Sequence, residues 1–187
     1  MNPFNKRLYR GDSTAFVELY DQIGERVFQF VFARIGSQQD ATDIAQEVFV
    51  RVVKSHRTLA KADNLASYVF MIARNETIRW LNKNKRNQQS LETKQDDETT
   101  CGSIENVVDS NDWVNTLLGR LEEVDREIVQ LKVFSELTFK EIANIVQLPE
   151  SNVTSRYRRA IGKLESRLAQ TQIDADLSGQ TTKKQQA

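Results

Sequence analysis

One cysteine, one histidine, two prolines and seven glycines are all that this chain of 187 residues holds of the types that staple, ligate, kink or turn. A lone Cys101 excludes an internal disulfide, and Cys101 with His56 falls short of the usual zinc set. Neither structural metal nor cofactor is expected. No apolar run approaches the roughly 20 residues that span a bilayer. The start, MNPFNKRLYRGD, lacks the basic-then-apolar pattern of a secretory leader, so the expectation is a cytoplasmic chain. A phosphate-cradling glycine loop, a metal-ligand cluster and a nucleophile motif are all missing. The chain is therefore not expected to be an enzyme, and no catalytic residue is assigned.

Scarce turn formers, with Ala, Leu, Glu, Lys, Arg and Gln abundant, favour helices over hairpins, and the expected fold class is all-α. With 39% hydrophobic and 28% charged residues the chain can bury one large or two small cores. Formal net charge is zero, but the charges are sorted along the chain. From Arg51 to Arg86 nine Lys or Arg face only Asp63 and Glu76. Acids dominate from 87 to 150, and bases return from Arg156 to Arg167. Two separate basic surfaces imply an anionic partner met at two places.

Apolar periodicity gives the organisation. In DSTAFVELYDQIGERVFQFVFARI, the residues Phe16, Leu19, Tyr20, Ile23, Val27, Phe30 and Val31 form one helical stripe, with Asp12 or Ser13 as N-cap. A second amphipathic helix runs from about Asp40 to His56, with Ile44, Val48, Phe49 and Val52 inward and Asp43, Gln46, Glu47 and Val50 outward. A third covers about Leu65 to Asn82. The first helical domain is placed at residues 1–86. Residues 87–110 are polar, aperiodic and too long for an ordinary loop, which predicts a flexible linker. A second helical domain spans 111–169, and 170–187 is expected to be a disordered tail.

Within the second domain TFKEIANIV reads as a short helix capped by Thr138, QLPE as a turn with Pro149 at the next helical start, and SNVTSRYRRA as the beginning of a longer helix. That is helix-turn-helix spacing. Advancing 100° per residue puts Val153, Tyr157, Ala160, Ile161, Leu164 and Leu168 on one face. Ser151, Thr154, Ser155, Arg158 and Arg159 fall opposite, while Arg156 lies at the flank, suited to a phosphate. Hydroxyls and arginines are the side chains that read base edges, and a solvated amphipathic face is the plainer alternative.

The succession DATDIAQEVFVRVVK, YVFMIARNETIRWL and LTFKEIANIVQLPESNVTSRYRRAIGKL, after a first helix in GDSTAFVELY, resembles the ordered motifs of bacterial extracytoplasmic-function (ECF) sigma factors of the sigma-70 family. The resemblance covers about Gly11 to Leu168 apart from the linker. It implies a noncatalytic initiation factor whose partners are core RNA polymerase and promoter DNA, and an anti-sigma factor, frequently membrane-bound. The domain at 1–86 corresponds to region 2, which binds core polymerase and the minus-ten element. The domain at 111–169 corresponds to region 4, which binds the minus-thirty-five element.

Carried onto this sequence, the resemblance assigns Asp43, Gln46, Glu47 and Val50 to polymerase docking. Without it, an acidic turn favoured by the helix dipole is the simpler account. It assigns Lys61, Asn64, Ser67, Arg74, Asn75, Arg79 and Lys83 to the minus-ten strand, and Ser151, Thr154, Ser155, Arg156, Arg158 and Arg159 to the minus-thirty-five element. Asn75 is equally suited to a hydrogen bond within its helix. Tyr68, Phe70 and Trp80 suit either base stacking or packing, and packing is favoured for Tyr68 and Trp80. Where the family often has glycine in the helix-turn-helix turn this chain has Gln147, which is strained if the turn needs a positive φ. A polymerase-independent helix-turn-helix regulator is the competing function.

Overall fold

The computed structural model describes residues 1–92 and 118–184, with side chains placed for 1–86 and 118–169. Cys101 and most of the expected linker lie outside the described residues. Five helices come before the gap: α1 Pro3–Tyr9, α2 Ser13–Ile35, α3 Gln38–Lys54, the single turn α4 His56–Leu59, and α5 Leu65–Glu92. Described after it are α6 Glu123–Ser135, α7 Phe139–Val146 and α8 Glu150–Lys184.

Local chemistry sets the helix starts. Asp12 accepts the Thr14 N–H and Ser37 the Asp40 N–H, satisfying amides that have no partner inside the helix. Gly36, at φ 75°, ends α2 in the left-handed conformation that glycine adopts without strain. Helix α1 goes beyond the sequence reading, although Asn2 as N-cap and Pro3 at the first helical position were its signals.

Helices α2, α3 and α5 pack through Leu19, Ile23, Val27, Phe30 and Val31 against Ile44, Val48, Val52, Val69, Phe70 and Ala73, all buried. Tyr20, expected on that stripe, is exposed and lies edge-on to Phe49 with centroids 4.8 Å apart. Phe70 is fully buried against Phe30, so it is a core residue and not a stacking platform. Tyr68 and Trp80 pack half-buried on the same core, as favoured.

The two domains do not stand apart. Ile128, Leu131, Leu137, Ile142, Ile145 and Val153 join the first domain's core as one cluster, while Leu121, Val129, Ala160 and Leu164 form a second cluster in the C-terminal domain. Helix α5 continues to Glu92, into the first residues of the expected linker, and α8 continues to Lys184, through residues read as a disordered tail. Extension of an existing helix adds a hydrogen bond per residue without a new nucleation cost, which a purely hydrophobic criterion overlooks.

Candidate functional site

Three surfaces carry the expected chemistry. The first is built by α7 and α8. Thr138 and Glu141 form a reciprocal capping box: the Thr138 N–H donates to Glu141 Oε2 at 2.8 Å, and the Glu141 N–H donates to Thr138 Oγ1 at 3.3 Å. Helix α7 ends at Gln147, whose φ of 58° and ψ of 44° are left-handed. The strain foreseen for a nonglycine residue is therefore present. Pro149 then stands one residue before α8, with its carbonyl accepting the Asn152 and Val153 N–H groups.

Val153 and Ala160 are fully buried, and Tyr157 lies against Phe139 with ring centroids 5.3 Å apart. That anchorage turns Ser151, Ser155, Arg158 and Arg159 to solvent, with Thr154 half-exposed and its hydroxyl donating to the Glu150 carbonyl at 3.0 Å. Arg156 is held differently. Its Nη1 lies 2.6 Å from Oδ1 of buried Asp125 and 3.5 Å from Glu122, and its Nε donates to Asn152. The Asp125 hydrogen bond leads in raising the guanidinium pKa above its ordinary value, so the cation is fixed to α6 as a strut.

The second surface follows α4 and α5. Asn64 accepts the Ser67 N–H on Oδ1 at 3.2 Å, the geometry of an N-cap, and donates from Nδ2 to Glu141 at 2.6 Å. Ser67 is half-buried beside it. Arg74 forks onto Glu127 of α6 with hydrogen bonds of 3.0 and 3.1 Å. Lys61 is exposed and sits 5.9 Å from the Tyr9 ring centroid. Asn75, Arg79 and Lys83 recur every fourth residue as an exposed row, with Arg79 also 3.2 Å from Glu76. The predicted residues thus divide. Asn64 and Arg74 are engaged by the C-terminal domain, Ser67 is partly enclosed, and Lys61, Asn75, Arg79 and Lys83 face outward.

Asp43, Gln46, Glu47 and Val50 make the third surface, an exposed row along α3. Glu47 pairs with Arg51 at 3.0 Å, and Arg51 also meets buried Glu76 at 2.9 Å, which ties the base of this row to α5.

Sequence reasoning missed Asp125, Glu127, Arg26 and Arg34. Arg26 donates Nε to the Phe134 carbonyl at 3.0 Å and a second hydrogen bond to the Ser135 carbonyl, covering the open carbonyl end of α6. Arg34 pairs with Glu123 and with Glu127, the latter at 3.4 Å. A signal existed: Arg34 continues the register of Val27, Phe30 and Val31, and an arginine in an apolar stripe needs a buried anion. Glu141 has its own balance. Burial raises its pKa, but the Thr138 N–H and hydroxyl, with the Asn64 amide, outweigh that and hold it below the usual carboxylate value.

Comparison with known proteins meets these surfaces. Residues 19–87 match the Sigma-70 region 2 family and residues 111–164 the Sigma-70, region 4 family. The chain is 27% identical over 160 residues to the ECF RNA polymerase sigma factor RpoE of Cereibacter sphaeroides, covering 84% of this chain and 88% of that protein. It is 26% identical over 175 residues to the ECF RNA polymerase sigma factor SigW of Bacillus subtilis, covering 87% and 94%. Its fold is similar to CnrH, solved in complex with the cytosolic domain of CnrY, with TM-score 0.66, 20% identity, and 89% and 95% of the two chains covered. It is also similar to the sigma factor RpoE solved with the anti-sigma factor NepR from Bartonella quintana, with TM-score 0.67, 20% identity, and 82% and 96% covered.

Proposed function

The chain belongs to the ECF subfamily of sigma-70 factors, noncatalytic subunits that direct RNA polymerase in promoter recognition and transcription initiation, and from that premise we propose which surface does what. Helix α8 reads the minus-thirty-five duplex through Ser151, Thr154, Ser155, Arg158 and Arg159. The carrying observation is the exposed hydroxyl and arginine face, backed by the buried Val153 and Ala160 that fix its orientation. Arginine donates two hydrogen bonds to guanine O6 and N7, and the hydroxyls adapt to either neighbour. Arg156, spent on Asp125, sets the angle of the helix on α6 and offers any spare charge to a phosphate.

Lys61, Asn75, Arg79 and Lys83 hold the minus-ten strand from the outset, and Asn64, Ser67 and Arg74 join once the C-terminal domain moves off them. Asp43, Gln46, Glu47 and Val50 dock on core polymerase through two carboxylates, an amide and a small apolar contact. The division of labour follows the region boundaries, residues 1–86 for docking and the minus-ten element and 111–169 for the minus-thirty-five element. No helix among the described residues is long and apolar enough to cross a membrane, and we place the protein in the cytoplasm beside its polymerase. An anti-sigma factor is the inferred antagonist, as CnrY and NepR accompany the two solved relatives.

Transcription in vitro tests this reading. Core polymerase with the purified chain should start RNA at defined positions on genomic templates, and core alone should not. Failure to bind core, or start sites no different from those of core alone, would refute it. The competing regulator predicts instead a tight, sequence-specific duplex complex without polymerase.

A further inference from the structure

The division of labour above gives no role to α1, yet this helix carries a charged surface of its own. Its anchors face two ways. Leu8 is buried, and the Asn5 side-chain amide donates to the Ala60 carbonyl at 3.1 Å, which ties α1 to the end of α4. Arg7 turns toward α2, forking onto Glu18 at 2.9 and 3.0 Å and donating Nε to Asp12 at 2.9 Å. Both acids at the start of α2 thus have their counter-ion. Advancing 100° per residue, Lys6 and Arg10 fall together between Asn5 and Arg7, with Tyr9 at their edge. All three are exposed. Lys61, exposed in the loop after α4, stands over the Tyr9 ring at 5.9 Å from its centroid. Unlike Arg51 and Arg74, the cations Lys6, Arg10 and Lys61 meet no carboxylate among the described residues. The carbonyl end of α1 favours a nearby cation but asks for no aromatic ring beside it. Three unpaired cations around one exposed ring are the makings of a single-strand site, in which charge follows the backbone and the ring takes a base face.

We propose that Tyr9, with Lys6, Arg10 and Lys61, is a binding site for unpaired promoter DNA beyond the minus-ten element, the ring stacking on a base and the cations holding the flanking phosphates. The proposal rests on the reading of Lys61 and α5 as the minus-ten surface and extends it past the start of α5. Chain order sets the direction. Lys83 lies about 27 Å along α5 from Leu65, on the way to the domain that reads the minus-thirty-five element. Lys61 and α1 stand at the opposite end. The strand that reaches Tyr9 is therefore the one leading from the minus-ten element toward the start site, which is unpaired only once the promoter opens. Every base presents a π face, so the site holds the open strand without adding a sequence preference.

Start-site-specific synthesis by the wild-type holoenzyme scores the underlying reading separately. For the site itself, holoenzyme affinity is measured on two promoter forks, one whose unpaired strand stops at the edge of the minus-ten element and one whose strand runs on toward the start site. Tyr9→Leu should bind the longer fork roughly 5- to 150-fold more weakly, the span for one stacked base, and Tyr9→Phe should match wild type. Lys6→Gln with Arg10→Gln should lower the slope of log affinity against log salt on the longer fork by about 0.7 for each cation removed, the value for a phosphate contact on single strands. On the shorter fork both variants should equal wild type, and affinity for core should stay unchanged. An unchanged slope, or equal losses on the two forks, overturns the site. Weakened binding to core in its place would assign the surface to polymerase and overturn it as well. Lys6 and Arg10 are exposed, so the glutamine pair decides the matter even if Tyr9→Leu unsettles α1.

Discussion

Arginines on α8 differ in what they can do because their surroundings differ. Arg156 is tied to buried Asp125, whereas Arg158 and Arg159 point into solvent with no structural claim on them from Asp125. An arginine that reads a base loses discrimination at one position when truncated, while one that holds a phosphate loses affinity for every sequence. Arg158→Ala should therefore cost roughly 1 to 3 kcal/mol at a single base pair of the minus-thirty-five element, scored by holoenzyme binding to a panel of single-base promoter variants. A uniform loss across the panel would move Arg158 to the phosphate contacts. On α3, Asp43 is exposed and contributes nothing to the core. Asp43→Arg should weaken core binding, measured by fluorescence anisotropy, and leave the melting temperature within about a degree of wild type, as for a surface change outside the packed interior. Undiminished core affinity would take Asp43 out of the docking surface.

Among the elements, the α7–turn–α8 unit was legible almost in full. The 3.6-residue periodicity gave both helices, Thr138 stands as the cap it was expected to be, and Pro149 stands one residue before the first helical position expected of it, with Glu150 opening α8. What the pattern left open was the backbone angle between them, because Gln147 carries no mark of handedness. At φ 58° it holds its Cβ close to the following carbonyl, a conformation that glycine adopts at no such cost. Gln147→Gly should raise stability by about 1 kcal/mol, seen as a higher urea midpoint with the denaturant slope unchanged. A lower midpoint would mean that the Gln147 side chain contributes more than its backbone costs. The same local limits explain α1, whose Asn-Pro start was legible but whose seven residues bury only Leu8 and so left little periodic trace.

For the whole molecule, one of the contacts that hold the two domains together, Asn64 to Glu141, is made by a carboxylate whose charge depends on pH. Glu141 illustrates the sign. Its pKa is depressed in the folded chain, so its contribution is complete above the ordinary carboxylate value and is lost as pH falls through the lower, folded one. With it go the hydrogen bond to Asn64 and a charged acceptor of the α7 capping box. Small-angle scattering should accordingly record a constant radius at neutral pH and an expansion of the chain below the usual carboxylate range, while the helical circular dichroism persists. Helix content and compactness lost in a single step would instead mean that the domains do not separate before they unfold.

The same junction marks where sequence reading stopped. Helix class, the two-region order, the outward row on α3 and the exposed polar face of α8 were all accessible, because each depends on the spacing or order of residues along the chain. Partners across helices were not. Nothing in the spacing tells that Arg156 meets Asp125, that Arg74 closes on Glu127, or that Asn64 reaches Glu141 from 77 residues away. Side-chain chemistry and the family resemblance made all three of them DNA-facing candidates. By itself the sequence determined which faces are polar, since periodicity and side-chain chemistry are local. Only the tertiary structure decided which of those polar groups remain available, since burial and counter-ions come from residues distant along the chain.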